Sequence, residues 1–345
     1  MASLRLRDVA TGVSYDAVGR PVGGSGEPLL PLAGYNQFWF AWSAFNHGSE
    51  IFRRNDGVHT APIAAGGECA VPCQQIHLGC PGKDCIPALS EPPQTAAGAS
   101  DAKYLPDNAF VVGVEVAGEA RAYPHNVLWW HEIVNDRVAG VPIAITHCPL
   151  TFSSIGYDPD GFEPGKTVEL GVSGRLFNSN LVFYDRSDGT WYSQLLGIGT
   201  KGAALGTPAP RIHVWEMTWA AWRIMHPEST VLSSATGFAR DYQRYPYGDY
   251  FIDDHDTFGP IAPAPDPTYP NKALTYGVRI GGAAKAYAHR ELTAWARDQR
   301  GPDAPAIGVV NDVVGGHALA VVFDIDAGYV QAFDREGRGE LELVP

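Results

Sequence analysis

The sequence predicts an α+β fold of strand-rich mixed sheets and short helices, built as two homologous halves related by a pseudo-two-fold axis. Three observations carry this expectation. The 39 Gly and 27 Pro cut the 345 residues into short segments, which favours strands and turns over long helices. No alternation of strand and helix runs far enough for a doubly wound sheet. Above all, the chain repeats itself in three ordered blocks. AWSAFNHGSEIF (41–52) lies without a gap over AWRIMHPESTVL (221–232), placing Trp42 over Trp222 and Ser49 over Ser229. GVEVAGEARAYPHNVL (113–128) lies over GVRIGGAAKAYAHREL (277–292), and IVNDRVAGVPIAITHC (133–148) over VVNDVVGGHALAVVFD (309–324) after an extra dozen residues in the second copy.

Each half reads as the same series of elements. A short amphipathic helix carrying the Trp comes first, then a Pro-rich loop. The strand FVVGVEV turns at Ala117-Gly118 into a second strand, EARAY. A helix starts near Pro124, a residue favoured at the first helical position. An Asn-Asp turn and the strand VPIAITH close the unit. Residues 167–202 form three or four strands broken by Gly and Asn, with a shorter echo at 327–343. The expected division is a lead-in over 1–36, a first half over 37–215 and a second half over 216–345, sharing one core.

Composition narrows the function classes. Hydrophobic residues make up 45% and charged residues 18%, enough for a substantial core. Net charge is −13 with no Lys/Arg cluster, which argues against nucleic acid as a partner. No run of 18 apolar residues is present, so no membrane span is expected. The opening MASLRLRDVATG lacks an apolar stretch of the signal-peptide kind. The expectation is a cytoplasmic protein, or a secreted one whose leader has been removed; oligomeric state is left open.

The repeats also serve as each other's control. Asn135-Asp136 recurs as Asn311-Asp312, Tyr123 as Tyr287 and His125 as His289, which points to structural roles. His131, Glu132, His147 and Cys148 face Trp295, Ala296, Phe323 and Asp324. The soft-ligand and nucleophile chemistry is thus confined to the first half. On a helix from Pro124, residues 127, 131 and 134 share one face. In the strand 141–148, His147 and Cys148 point to opposite sides, so Cys148 and His131 are the preferred pair. Such a pair suits copper or, alternatively, zinc. It equally suits a Cys148 nucleophile activated by His131 and oriented by Glu132. Cys69, Cys73, Cys80 and Cys85 lie within seventeen residues. Two disulfides, a tetrathiolate metal site, or delivery of a Cys to the His131 site are the readings of that cluster. In each, Cys148 is left over.

GCPGKDCIPAL, ARAYPHNVLWWHEIVND, THCPLT, GVSGRLFNSNLVFYDRSDGTWYSQLLG and TWAAWRIMHPESTVL resemble the domain-of-unknown-function 3179 family over about residues 70–250. The resemblance implies that His131, Glu132 and Cys148 belong to family motifs, together with Asn178, Ser179 and Tyr184. Thr151 stands where many members carry a second Cys, which argues against a C-x-x-C pair there. The functional expectation is a metal-dependent enzyme, a copper oxidoreductase acting on a small molecule or a modified side chain, peptide-borne or free. His131, Cys148, His147 and His125 are its candidate ligands, Glu132 is a ligand-orienting group or proton carrier, and Asn178, Ser179 and Tyr184 line a cleft. A Cys–His hydrolase or transferase, and a non-catalytic metal- or ligand-binding protein, are the alternatives.

Overall fold

The computed structural model describes residues 4–24, 26–64 and 66–344. Residues 1–3 and Ser25, part of the expected lead-in, lie outside it. The fold is α+β: mixed and antiparallel sheets with four short α-helices among the described residues. The labelled elements are, in chain order, β1 (Gly34–Phe38), α1 (Trp39–Phe45), β2 (Phe110–Val116), β3 (Glu119–Pro124), α2 (His125–His131), β4 (Ile133–Val138), β5 (Val141–Cys148), β6 (Ser153–Tyr157), β7 (Leu170–Phe177), β8 (Asn180–Asp185), β9 (Trp215–Thr218), α3 (Trp219–Met225), β10 (Leu274–Ile280), β11 (Ala283–Ala288), α4 (His289–Arg300), β12 (Ile307–Val314), β13 (His317–Asp324) and β14 (Tyr329–Asp334).

The run β2–β3–α2–β4–β5–β6 in the first half matches β10–β11–α4–β12–β13–β14 in the second, element for element. The Trp blocks, however, are exchanged. β9, which leads into α3, pairs with the first-half hairpin β2–β3, and β1, which leads into α1, pairs with the second-half hairpin β10–β11. Thr230–Leu232 and Glu50–Ile51 then add in parallel to β3 and β11.

Close contact explains two glycines of the repeat. A Cβ on Gly113 would lie 1.9 Å from the Trp222 ring, and one on Gly277 would lie 1.8 Å from Trp42. Both indole N–H groups donate to the aligned serines, Trp222 to Ser229 at 3.0 Å and Trp42 to Ser49 at 2.9 Å. Each Trp is therefore held by its indole N–H and packed directly on strand backbone at the glycine.

Asn135 and Asp136 lie inside β4 rather than in a turn, which falls instead at Ala139-Gly140, both at positive φ. Their structural role takes another form. The Asn135 amide donates to Leu170 O and accepts from Leu170 N, and Asn311 makes the same two bonds to Leu341. Asp136 accepts from Tyr123 and Arg121; Asp312 accepts from Tyr287 and Lys285. A side-chain amide that mimics a strand backbone clamps one sheet onto the next, and a paired carboxylate satisfies a buried tyrosine.

The helix expected from Pro124 is also shorter than its apolar spacing suggests. Pro124 ends β3 and caps α2, and Glu132 terminates the helix at φ +57° with its N–H on Leu128 O. Val134 consequently belongs to a strand, so the shared face of 127, 131 and 134 does not form.

Candidate metal centre and the cavity beside it

α2 and β5 supply residues to two separate places. His125 opens α2, and His147 lies one residue before the end of β5, opposite Ser154 of β6. β9 brings Glu216 in alongside β2. His125 Nε2 is 3.0 Å from Glu216 Oε1, the Ser154 hydroxyl donates to the same oxygen at 2.7 Å, and Asn36 Nδ2 donates to Glu216 Oε2 at 2.9 Å. Ser154 Oγ also lies 3.0 Å from His147 Nδ1. The two imidazoles are 4.0 Å apart between ring centres, with Phe110 and Phe152 against them. One ligand atom from each of His125, His147 and Glu216 falls within 4.8 Å of the other two.

Electrostatics follow from burial. The His125 imidazole is pushed down to about 3 and that of His147 well below its usual range, because neither cation is solvated. Burial lifts the Glu216 carboxyl to about 7, against the opposing hydrogen bonds from Ser154 and Asn36. The His125–Glu216 contact is therefore a hydrogen bond from a neutral imidazole rather than an ion pair. The one Ser154 proton goes to Glu216, so Ser154 must accept from His147 Nδ1–H. That assigns the protons to His125 Nε2 and His147 Nδ1. The other nitrogens, His125 Nδ1 and His147 Nε2, are buried lone pairs with no partner, whereas buried polar atoms are normally satisfied. Neutral imidazoles beside an ionisable carboxylate suit a divalent transition metal. Ligand bonds of about 2.0 to 2.2 Å require the three groups to draw together and Ser154 to turn aside or contribute its own oxygen.

A family model described as "Protein of unknown function (DUF3179)" matches residues 83–343. The chain belongs to the DUF3179 family. No curated protein and no solved structure matches it. The DUF3179 stretch contains His125, His147, Ser154 and Glu216, whereas Asn36 precedes it.

The remaining residues singled out within and beside the DUF3179 stretch divide cleanly. His131 has both nitrogens engaged, Nδ1 with Pro87 O and Nε2 with the Tyr242 hydroxyl, each at 2.7 Å. The Cys148 thiol points to Ser179 O at 3.5 Å, so neither side chain is the other's partner. Cys148 is buried and unbridged, and burial together with Glu132 pushes it up to about 11. Cys69 is joined to Cys73 and Cys80 to Cys85, with Cα separations of 5.5 and 6.2 Å. Those pairings leave no tetrathiolate site. Asn178 and Ser179 do not line an open cleft; they form the β7–β8 turn and hold the 257–262 loop by bonds to Ala262, Thr257 and Phe258. Tyr184 donates to Asp84 at 2.6 Å, beneath Lys83.

Of the four expected ligands, His125 and His147 come together. Glu216 and Ser154 join them without having been anticipated. The signal for Glu216 was present: carried five residues upstream, the first repeat block sets Glu216 over Asn36, a charge found in one copy only.

Glu132 enters a different space. Its side chain lines a cavity of ≈ 50 Å³ on the far side of β5, together with Cys80 and Tyr247. Burial alone lifts its carboxyl to about 8.

Proposed function

We propose that the protein is a metal-dependent enzyme holding a divalent first-row ion, copper or zinc, at His125, His147 and Glu216. Oxidation–reduction of a small molecule at copper is the first chemistry to test. The observation that carries this reading is the convergence of His125, His147 and Glu216, with a ligand atom of each within 4.8 Å of the other two and one buried nitrogen of each imidazole left unpartnered. Two imidazoles and a carboxylate are donors that copper and zinc both accept, and three protein ligands leave a position for substrate. In such a site Glu216 supplies the negative charge and Asn36 and Ser154 orient it. Burial of all three side chains restricts the substrate to a small one. A Cys148 nucleophile has less support, since a thiol held near 11 yields little thiolate.

The test is elemental analysis of protein prepared without a metal-affinity tag. The expected result is close to one equivalent of copper or zinc, lost in His147→Ala, weakened in Glu216→Gln and retained in His131→Ala. Protein that is metal-free and takes up neither ion on titration would sink the reading.

We also read the two halves as related by a pseudo-two-fold axis passing between Glu216 and Asn36. In support, His125–Glu216 and His289–Asn36 are aligned pairs, the second joined at 2.8 Å, and Asn36 bonds to Glu216. The second copy has Asn36 for the carboxylate and Phe323 for His147, so only one side of the axis has a ligand set. The two disulfides favour an oxidising compartment.

A further inference from the structure

The cavity on the Cys148 side of β5 is separate from the metal centre, and its chemistry differs. Leu150, Leu176 and Phe258 give it apolar walls, Tyr247 adds an aromatic one, and Glu132 is its carboxylate. Glu132 is 4% exposed. Among the described residues its carboxyl makes no hydrogen bond or ion pair, although acidic side chains are seldom buried unpaired. Its backbone is at φ +57°, a conformation that costs a non-glycine residue on the order of 1 kcal/mol or more. Two backbone bonds hold it there, its own N–H to Leu128 O and His147 N–H to its carbonyl, both 2.8 Å. The fold thus keeps a strained residue whose side chain delivers an unpartnered acid to an apolar hole.

The neighbours do not neutralise it. Cys148 and the Tyr247 hydroxyl are the ionisable groups that interact with it, and both are acids. Arg175 also borders the cavity, but its guanidinium lies 4.7 Å above the Trp191 ring. What the site lacks is a positive charge with N–H donors. An ionised carboxylate is acceptor-only, and aromatic faces attract cations. With one carboxylate and no further His, Asp or Glu, it falls short of the six or more oxygens that calcium needs. A single water takes roughly 10–15 Å³ of such space, so ≈ 50 Å³ suits a ligand of about three or four heavy atoms. Phe258, 40% exposed, carries one wall to the surface.

We propose that this cavity binds a small primary alkylammonium ion, with Glu132 as its counter-ion and Tyr247 and Phe258 as its aromatic walls. The proposal does not depend on the metal centre. It is tested on the full chain by titration calorimetry above pH 8, where the Glu132 carboxyl is ionised and the amine is still a cation, with ethylammonium chloride as the ligand, ethanol as the neutral isostere and sodium chloride as the ionic-strength control. Ethylammonium should bind with 1:1 stoichiometry and ethanol should not. Glu132→Gln, which keeps the shape and removes the charge, should weaken binding at least tenfold. Leu176→Phe, which fills the hole and keeps the charge, should abolish it. A soaked crystal should show the ammonium within hydrogen-bonding distance of the Glu132 carboxylate. Equal binding of ethanol, unchanged binding in Glu132→Gln, or a cavity that holds only water after the soak would each overturn the proposal.

Discussion

At the scale of single residues, Glu132 has the most consequential environment. Its carboxyl keeps its proton to about pH 8 in the folded chain, because burial disfavours the anion, against an ordinary value of 4.5. Below pH 4.5 the group is neutral in both states and imposes no penalty. As pH rises from 4.5 to 8 the unfolded chain ionises first, so stability falls, and above about 8 the loss levels off. Each pH unit is worth about 1.4 kcal/mol, so Glu132→Gln should gain on the wild type by up to roughly 4 kcal/mol between pH 5 and 8. Urea unfolding at the two pH values, in metal-free and amine-free buffer, measures this. A stability difference that does not change with pH would show that burial is not what holds the proton. The opposite expectation applies to His289, which burial pushes down to about 4. It takes up a proton only on unfolding between pH 6.5 and 4, so it erodes stability as pH falls through that window.

At the scale of elements, the Trp plugs and the Asn clamps make definite predictions. Gly113→Ala and Gly277→Ala each place a methyl group inside an indole ring. Overpacking of this severity should cost about 3 kcal/mol or more, read as a lowered denaturant midpoint. Asn311→Ala leaves Leu341 N–H and C=O without their partner, a loss of about 1–3 kcal/mol. Proteolysis should then release the C-terminal strand first. What the sequence shows of both features is their recurrence: Trp with Ser seven positions on, Gly113 over Gly277, and Asn-Asp, which it assigns to a turn and not to a clamp. What it left unread has physical causes. Periodicity does not show that Glu132 breaks the helix at positive φ, so it directs His131 toward Cys148, whereas the imidazole meets Pro87 and Tyr242. A comparison of copies could not place His125 in the centre either, because His289 recurs there beside Asn36. Conserved geometry with altered partners looks like packing when only residue letters are compared.

At the scale of the whole molecule, the disulfides and the exchanged pairing decide how the chain behaves. Each disulfide closes a short loop, so in the chain-entropy account each contributes about 2 kcal/mol. Thiol titration of unfolded, unreduced protein should find one reactive group, Cys148, and five after reduction. Native protein should give none, since Cys148 is buried. Two or more reactive thiols in unreduced protein would show that one of the two loops is open.

The exchange of strands sets a timetable for synthesis. β1 and α1 leave the ribosome early, but their partners β10 and β11 lie about 240 residues downstream. At 5–20 residues per second, Trp39 and Trp42, which pack with Tyr269, Ala286 and Ala288, wait roughly 10–50 seconds for a surface to cover them, whereas Phe38 and Phe40 join the core around Phe152 and Phe177 sooner. The reciprocal plug, β9 and α3, meets a hairpin made about 100 residues earlier. Nascent chains are therefore most adhesive in the middle of translation, and a chain halted near residue 250 should be retained by a holdase while one carried to residue 344 should not. Extra holdase during that interval should raise the yield of folded molecules, read as soluble protein with and without its co-expression.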